Sequence, residues 1–333
     1  MTTNSELINS LIDGDEDIAA LQPRLASDDS GMRRIALIDV ADFGDENHLP
    51  VLIAALTDPA ASVRAEAARL LAGWENDVVV DALALALLDT DADVRGASAQ
   101  SLSELKTPQA GERLLPWAVH ENIFVRAAAL HALRELRLPA AAIPARDALA
   151  HPDASLRREA IGVLGWLKYR EALPQLAQLA TNDNEAEVRR AATGALGMAD
   201  NDAVVQALLA ALNDSVWTVR EEAATTLGKL LPPQAAPALI AALSDHAWQV
   251  QLRAARALGR LGDIAALAPL IELLQHTLSN VRKEAALALG EVGSAEAIAA
   301  LAIAAQDADP DVRKAARLAV TQITAHSDTR ATS

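Results

Sequence analysis

Apolar residues recur along this chain in two alternating helical patterns, each closed by a short polar turn. The stretch around Arg220 shows the unit. Residues 206–212 read as one apolar helix, Asn213 and Asp214 as a turn, and residues 219–228 as a second helix. Set on the arginine of the second helix, the preceding position holds Val63, Val94, Val125, Leu156, Val188, Val219, Val250, Val281 and Val312. Three residues after the arginine stands a small residue: Ala36, Ala67, Ser98, Ala129, Ala223 or Ala285. Seven after it stands Val40, Leu71, Leu102, Leu133, Leu164, Leu196, Leu227, Leu258, Leu289 or Val320. Positions −1, +3 and +7 share one face of a helix, so the pattern predicts a buried stripe with a small residue at its centre. Glycine at +8, in Gly165, Gly197, Gly228, Gly259 and Gly290, suits a helix C-terminus.

The arginine itself is the ruler. It stands at Arg33, Arg64, Arg95, Arg126, Arg157, Arg189, Arg220, Arg282 and Arg313, with Gln251 in the remaining slot. Each step is 31 residues except that from Arg157 to Arg189, which is 32. A fixed period of this size predicts a solenoid of stacked helical pairs. The extra residue, near Thr181 and Asn182, falls in the turn of its unit. Six residues before the slot stands Asp58, Asp89, Asp183, Asp214, Asp245 or Asp307. The recurring Asp and Arg predict a ladder of charge-assisted bonds between an arginine and its own or the next turn. Asp91, Asn122, Asp153 and Asp309 stand where a helix N-cap is needed, with Pro310 as a first helical residue.

The matching text 307–316 (Asp-Ala-Asp-Pro-Asp-Val-Arg-Lys-Ala-Ala) and 257–263 (Ala-Leu-Gly-Arg-Leu-Gly-Asp) resembles the HEAT family, in its short HEAT-like repeats of the phycobilisome-lyase type. The resemblance covers about residues 18–324. The fold expected is all-α: an α-solenoid, a right-handed superhelix of about ten 31-residue helical hairpins. Residues 1–17 read as an N-terminal cap, 18–324 as a single repeat solenoid and 325–333 as a polar flexible tail. The resemblance implies that the second helices line the concave side.

Composition narrows the function. Half of the residues are hydrophobic, yet aromatic residues are only 2%, so alanine and leucine carry the core. The net charge of −16 argues against a nucleic-acid partner. There is no cysteine, and no apolar stretch reaches 18 residues, so the reading is a cytoplasmic protein without membrane insertion. No nucleophile–base constellation, phosphate loop or cofactor motif emerges.

Function is then sought where the chain departs from its repeat. His120, His151 and His276 replace the aspartate at −6, and His131 stands at +5. His120 and His151, with Glu121, could hold a metal; the alternative is that each imidazole makes one turn hydrogen bond. Among HEAT-like enzymes, the resemblance to deoxyhypusine hydroxylases would require His-Glu pairs on the second helices. The positions here read Ala65-Glu66, Arg158-Glu159, Glu221-Glu222 and Lys283-Glu284, so that activity is not supported. Trp217 and Trp248, both at −3, read as a hydrophobic staple at the start of the second helix or as a rail for a partner. Trp117, beside Pro116 in a first helix, joins His120 and His131 in the most irregular stretch, 106–151.

At +1 and nearby, Arg158, Arg190, Glu221, Arg253, Arg256, Lys283 and Lys314 predict a locally basic inner surface that could steer an acidic protein or anionic ligand. These residues, with Trp117, His131, Trp217 and Trp248, are the candidate partner-binding set. The function expected is a non-catalytic binding scaffold, an adaptor or assembly factor gripping a protein partner along its concave face. The alternative, from the family resemblance alone, is an accessory subunit of a bilin lyase-type system. A DNA glycosylase on the same scaffold would need a basic groove, against which the acidity counts.

Overall fold

The computed structural model describes residues 16–331, so all of the cap expected at 1–17 except the start of helix Glu16–Leu25 lies outside the described residues. Within them all regular structure is helical. The chain divides into two compact units, residues 1–167 and 168–333.

In the first unit the second helices Ser30–Asp42, Ala61–Leu70, Ala92–Ser103, Ile123–Leu133 and Ala154–Leu167 pack each on the next. In the second unit Ala186–Ala195, Trp217–Leu230, Trp248–Leu261, Ser279–Val292 and Pro310–Ala331 do the same. The last of these reaches into the segment read as a tail. Most first helices are shorter and form the other layer, as in Leu49–Ala55, Ala236–Ala242 and Leu267–Leu273. Several open with a single 3-10 turn whose last residue is a fully buried alanine, namely Ala141, Ala172, Ala235, Ala266 and Ala297.

The stripe read from the sequence is the core. Val219, Ala223 and Leu227 are buried completely, as are Val250, Ala254 and Leu258, and Val281, Ala285 and Leu289. Burying one such leucine stabilises the fold by about 1.5–3 kcal/mol. The N-caps also stand where the polar residues predicted them. The side chain of Asp91 accepts from the backbone N–H groups of Asp93 and Val94, Asn122 from Phe124 and Val125, and Asp309 from Asp311 and Val312.

Two expectations are corrected. Four of the five +8 glycines do not end helices: Gly165, Gly228, Gly259 and Gly290 lie inside theirs, and Gly197 alone follows the end of its helix, Ala186–Ala195. Gly228, Gly259 and Gly290 are there because the next second helix approaches closely. A Cβ on Gly259 would stand 2.7 Å from the Cα of Ala288, and one on Gly290 2.9 Å from the Cα of Ala319. The left-handed caps come three residues later, at Gly262 and Gly293. Arg137, Lys168 and Leu231 take the same +11 position with φ of 52–54°, at a steric cost glycine would not bear. The extra residue of the 32-residue step, in turn, does not sit in a turn. Thr181 and Asn182 are helical: Leu173–Asn182 runs up to the −6 aspartate Asp183, whereas Ala236–Ala242 ends three residues before Asp245.

Opposite outcomes follow for two glycines on the same kind of helix. Gly259→Ala should destabilise the protein by about 1–3 kcal/mol, because backbone must move to admit the methyl group. Gly96, whose Cβ would meet nothing within 4 Å, lies inside Ala92–Ser103, and Gly96→Ala should stabilise by about 0.5–1 kcal/mol. Denaturant titration of both variants measures the difference in sign.

Candidate functional site

The slot arginine and the −6 aspartate join one repeat to the next. Arg33 grips Asp58 with two parallel bonds, Nε to Oδ2 at 2.8 Å and Nη2 to Oδ1 at 2.7 Å. The same fork joins Arg64 to Asp89 in the first unit, and Arg189 to Asp214, Arg220 to Asp245 and Arg282 to Asp307 in the second. Meanwhile Nη1 donates to two carbonyls of the arginine's own turn, as Arg220 does to Asp214 and Ser215. Each aspartate also accepts the N–H two residues on, as Asp245 does from Ala247 at 2.8 Å. One carboxylate thus closes its own turn and receives the neighbouring repeat.

Histidine can do only the first of these tasks. His120, His151 and His276 accept through Nδ1 from the N–H of Asn122, Asp153 and Leu278, each at 3.0 Å. An imidazole that accepts at Nδ1 carries its proton on Nε2, so it has no second acceptor for a guanidinium. The residues that would have reached these positions are redirected. The Arg95 guanidinium lies over the Phe124 ring at 5.7 Å, and Arg126 Nε donates to the Ala118 carbonyl. Opposite His276 the slot holds Gln251, whose Nε2 donates to the Asp245 carbonyl while its Oε1 is buried without a partner. Among the described residues no group of three or more His, Asp or Glu side chains is placed to hold a metal.

The basic stripe read from the sequence is neutralised pair by pair. Arg158 pairs with Glu159, Arg190 with Glu187, Arg253 with Glu221 and Arg256 with Glu284, while Lys283 stands 3.6 Å from Asp311. Lys314 is exposed. Two of these carboxylates are buried and were missed as structural elements: Glu159 and Glu284, both at +2, are met by the +5 residue of the preceding second helix. Arg256 grips Glu284 at 2.6 and 2.8 Å, and His131 Nδ1 stands 2.9 Å from Glu159. Burial pushes the Glu159 carboxyl up, but the bond and charge of His131, then those of Arg158, hold it below the usual carboxylate range. The signal was available in the common spacing of 28 residues between His131 and Glu159 and between Arg256 and Glu284.

The tryptophans divide. Trp217 and Trp248 are each the first residue of a second helix, not the residue before its N-cap, where a staple would stand. Both remain 40% exposed. Trp117 is not inside a helix: Pro108–Glu112 ends before it, and it begins the 3-10 turn Trp117–Val119, with its ring stacked on His120. Trp166 lies under the Arg137 guanidinium at 5.4 Å. The structure therefore gathers the site candidates in two places. Trp117, His120 and His131 lie around 103–136 in the first unit, where Trp166 is also exposed, and the exposed Trp217 and Trp248 lie in the second.

Comparison with known proteins places this geometry. The sequence profile of HEAT repeats matches successive overlapping windows from residue 18 to residue 321, among them 18–103, 144–228 and 236–321. No curated protein sequence matches. Among solved structures, an engineered protein is 22% identical, covering 93% of this chain and 99% of its own, with a TM-score of 0.54. Kap95p, solved with RanGDP, is 14% identical over 96% of this chain and 50% of its own, with a TM-score of 0.57. The complex of CpcE and CpcF of phycocyanin lyase from Nostoc gives 21% identity, 66% and 92% coverage and a TM-score of 0.42. At these identities the likeness is one of fold.

The broken rung at Gln251 and His276 is open to repair. The double variant Gln251→Arg, His276→Asp should show a favourable coupling of about 1–3 kcal/mol relative to the sum of the two single variants, read from a double-mutant cycle in denaturant. Additive effects would mean that the fork does not form there.

The intact rungs predict the response to acid. Hydrogen bonds from Arg64, Arg220 and Arg282 hold Asp89, Asp245 and Asp307 below the ordinary aspartate range. Burial pushes Asp214 up, and the bonds from Arg189 and the Val216 N–H, with the charges of Arg189 and Arg220, together more than offset it. A folded-state value below the unfolded one contributes stability in full above the unfolded pKa of about 3.9 and loses it as pH falls through the folded value. The melting temperature should therefore hold from neutral pH to about 5 and drop below about 4, with a shallower acid limb in Arg220→Gln.

Proposed function

Since this chain belongs to the HEAT-repeat family, we propose that it is a non-catalytic protein-binding scaffold, an adaptor or assembly factor that holds a partner along the face its second helices share. The observation that carries this reading is the pair Trp217 and Trp248. They are large apolar rings at equivalent positions of successive repeats, both exposed, in a chain with five tryptophans. Exposed aromatic side chains on rigid helices are the residues from which binding hot spots are built, because they bury much apolar area at little entropic cost. Leu278, exposed at the start of the next second helix, extends the apolar edge within the same unit.

Charge plays the smaller part. Arg158, Arg190, Arg253, Arg256 and Lys283 are matched by carboxylates of this chain, so they form a polar rim. A rim charge that already has a partner adds specificity more than affinity. The anchor is aromatic, and the partner surface that fits it is apolar at its centre.

The test is affinity capture from native lysate of the source cells with the parent protein and with Trp217→Ala, Trp248→Ala. The parent should retain one partner at stoichiometric amounts, and the double variant should lose about tenfold or more in affinity at an unchanged melting temperature. Equal capture by both proteins defeats the reading.

A further inference from the structure

The junction between helices Ile123–Leu133 and Ala154–Leu167 departs from the repeat in a way that is built rather than tolerated. In the second unit the +8 glycines Gly228, Gly259 and Gly290 have the neighbouring helix backbone passing against them. In the first unit the +8 position after Arg126 is Arg134. Room for it comes from the facing helix: the Arg134 side chain lies across Gly162, where a Cβ would stand 2.8 Å from its Cδ. A large residue at a position that elsewhere holds small ones is thus matched by a glycine opposite.

The guanidinium so placed is underused. Its Nε is buried without an acceptor. Its two Nη nitrogens stand 3.7 Å from Glu135 and 3.9 Å from Glu159, beyond hydrogen-bond distance. Every ladder fork in this chain, by contrast, closes at 2.6–2.9 Å. Glu159 is already engaged by His131 and Arg158.

Arg134 and His131 line a cavity of about 280 Å³ with Lys106, Ser103 and Glu135. The volume lies at the lower limit of small-ligand sites, about 300–1,000 Å³, and suits a single acid group rather than a cofactor. Lys106 is exposed and makes no salt bridge among the described residues. The nearby Glu75 carboxylate is occupied by the backbone N–H groups of Lys106 and Thr107. His131 commits Nδ1 to Glu159, which fixes the ring and leaves Nε2 uncommitted. Two cations and an oriented imidazole therefore converge on one cavity against Glu135, in a protein whose net charge is −16.

We propose that this cavity is an oxyanion site, taking a carboxylate or phosphate group between Lys106 and the Nη nitrogens of Arg134, with His131 beside it. A guanidinium fork and an ammonium are the usual partners of both groups, since charge-assisted bonds to either are about twice as strong as neutral ones. The site stands independently of the tryptophan edge, which lies in the other unit, and one can fail without the other.

The test is calorimetric titration of the full chain, in a chloride buffer of low ionic strength, with inorganic phosphate and separately with a blocked tetraglutamate peptide. Saturable binding of at least one is expected, with Lys106→Gln and Arg134→Gln each weakening it about tenfold and Arg260→Gln, on a helix of the second unit, leaving it unchanged. Phosphate alone identifies a free ion as ligand; the peptide alone identifies an acidic side chain. No saturation with either, or equal binding by the parent and Lys106→Gln, overturns the proposal. Lys106 is exposed, so its variant keeps the test decisive even where removing Arg134 from its bed on Gly162 lowers stability.

Discussion

The fold depends on one interaction repeated along the chain: an arginine whose Nη1 holds its own turn while its other edge forks onto the aspartate of the next repeat. Hydrophobic burial supplies most of the stability, but burial is non-directional and sets no register between neighbouring hairpins. The fork does set it. Two parallel bonds at 2.6–2.9 Å, between side chains left largely out of solvent, fix the separation and rotation of adjacent turns together. Leaving one partner of such a pair alone costs more than the pair contributes, and where histidine replaces the aspartate at 120 and 151 the arginines turn to the Phe124 ring and the Ala118 carbonyl instead. Gln251 opposite His276 shows a joint change.

Much of this was legible without coordinates, because a repeat compares a sequence with itself. Valine, alanine and leucine at −1, +3 and +7 identified the buried face, and Asp91, Asn122 and Asp309 the N-caps. The glycines were misread because a helix end and a close helix approach both favour glycine, and only the neighbour's position separates them. For Gly259 that neighbour is the backbone of Ala288. The basic stripe was misread for a related reason. Counting cations at one position ignores the carboxylates that a neighbouring helix brings, and Glu284 reaches Arg256 from 28 residues away. Arg134 was passed over although the +8 position otherwise holds only glycine, alanine, serine or threonine, which is where a large residue says most about local packing.

The candidate sites share a physical character. Each lies where a residue type does something the repeat does not require: rings left exposed at Trp217 and Trp248, and a guanidinium without a fork at Arg134. In a stack whose units otherwise satisfy one another, binding capacity is what remains after the internal pairs have been closed. The buried carboxylates of the second helices, Glu159 and Glu284, are engaged in holding neighbouring helices together.

The histidine turns carry a further consequence, for cooperativity. A repeat protein unfolds as a chain of nearest-neighbour couplings, and its transition is as sharp as the weakest coupling allows. At the Arg95–His120, Arg126–His151 and Gln251–His276 junctions the turn fork is absent, although His131–Glu159 still joins the second helices at the second of these and Arg256–Glu284 at the third. Two of these junctions are consecutive, on either side of helix Ile123–Leu133. That hairpin meets both neighbours across turns without the fork, so amide exchange there should report local opening rather than the global transition.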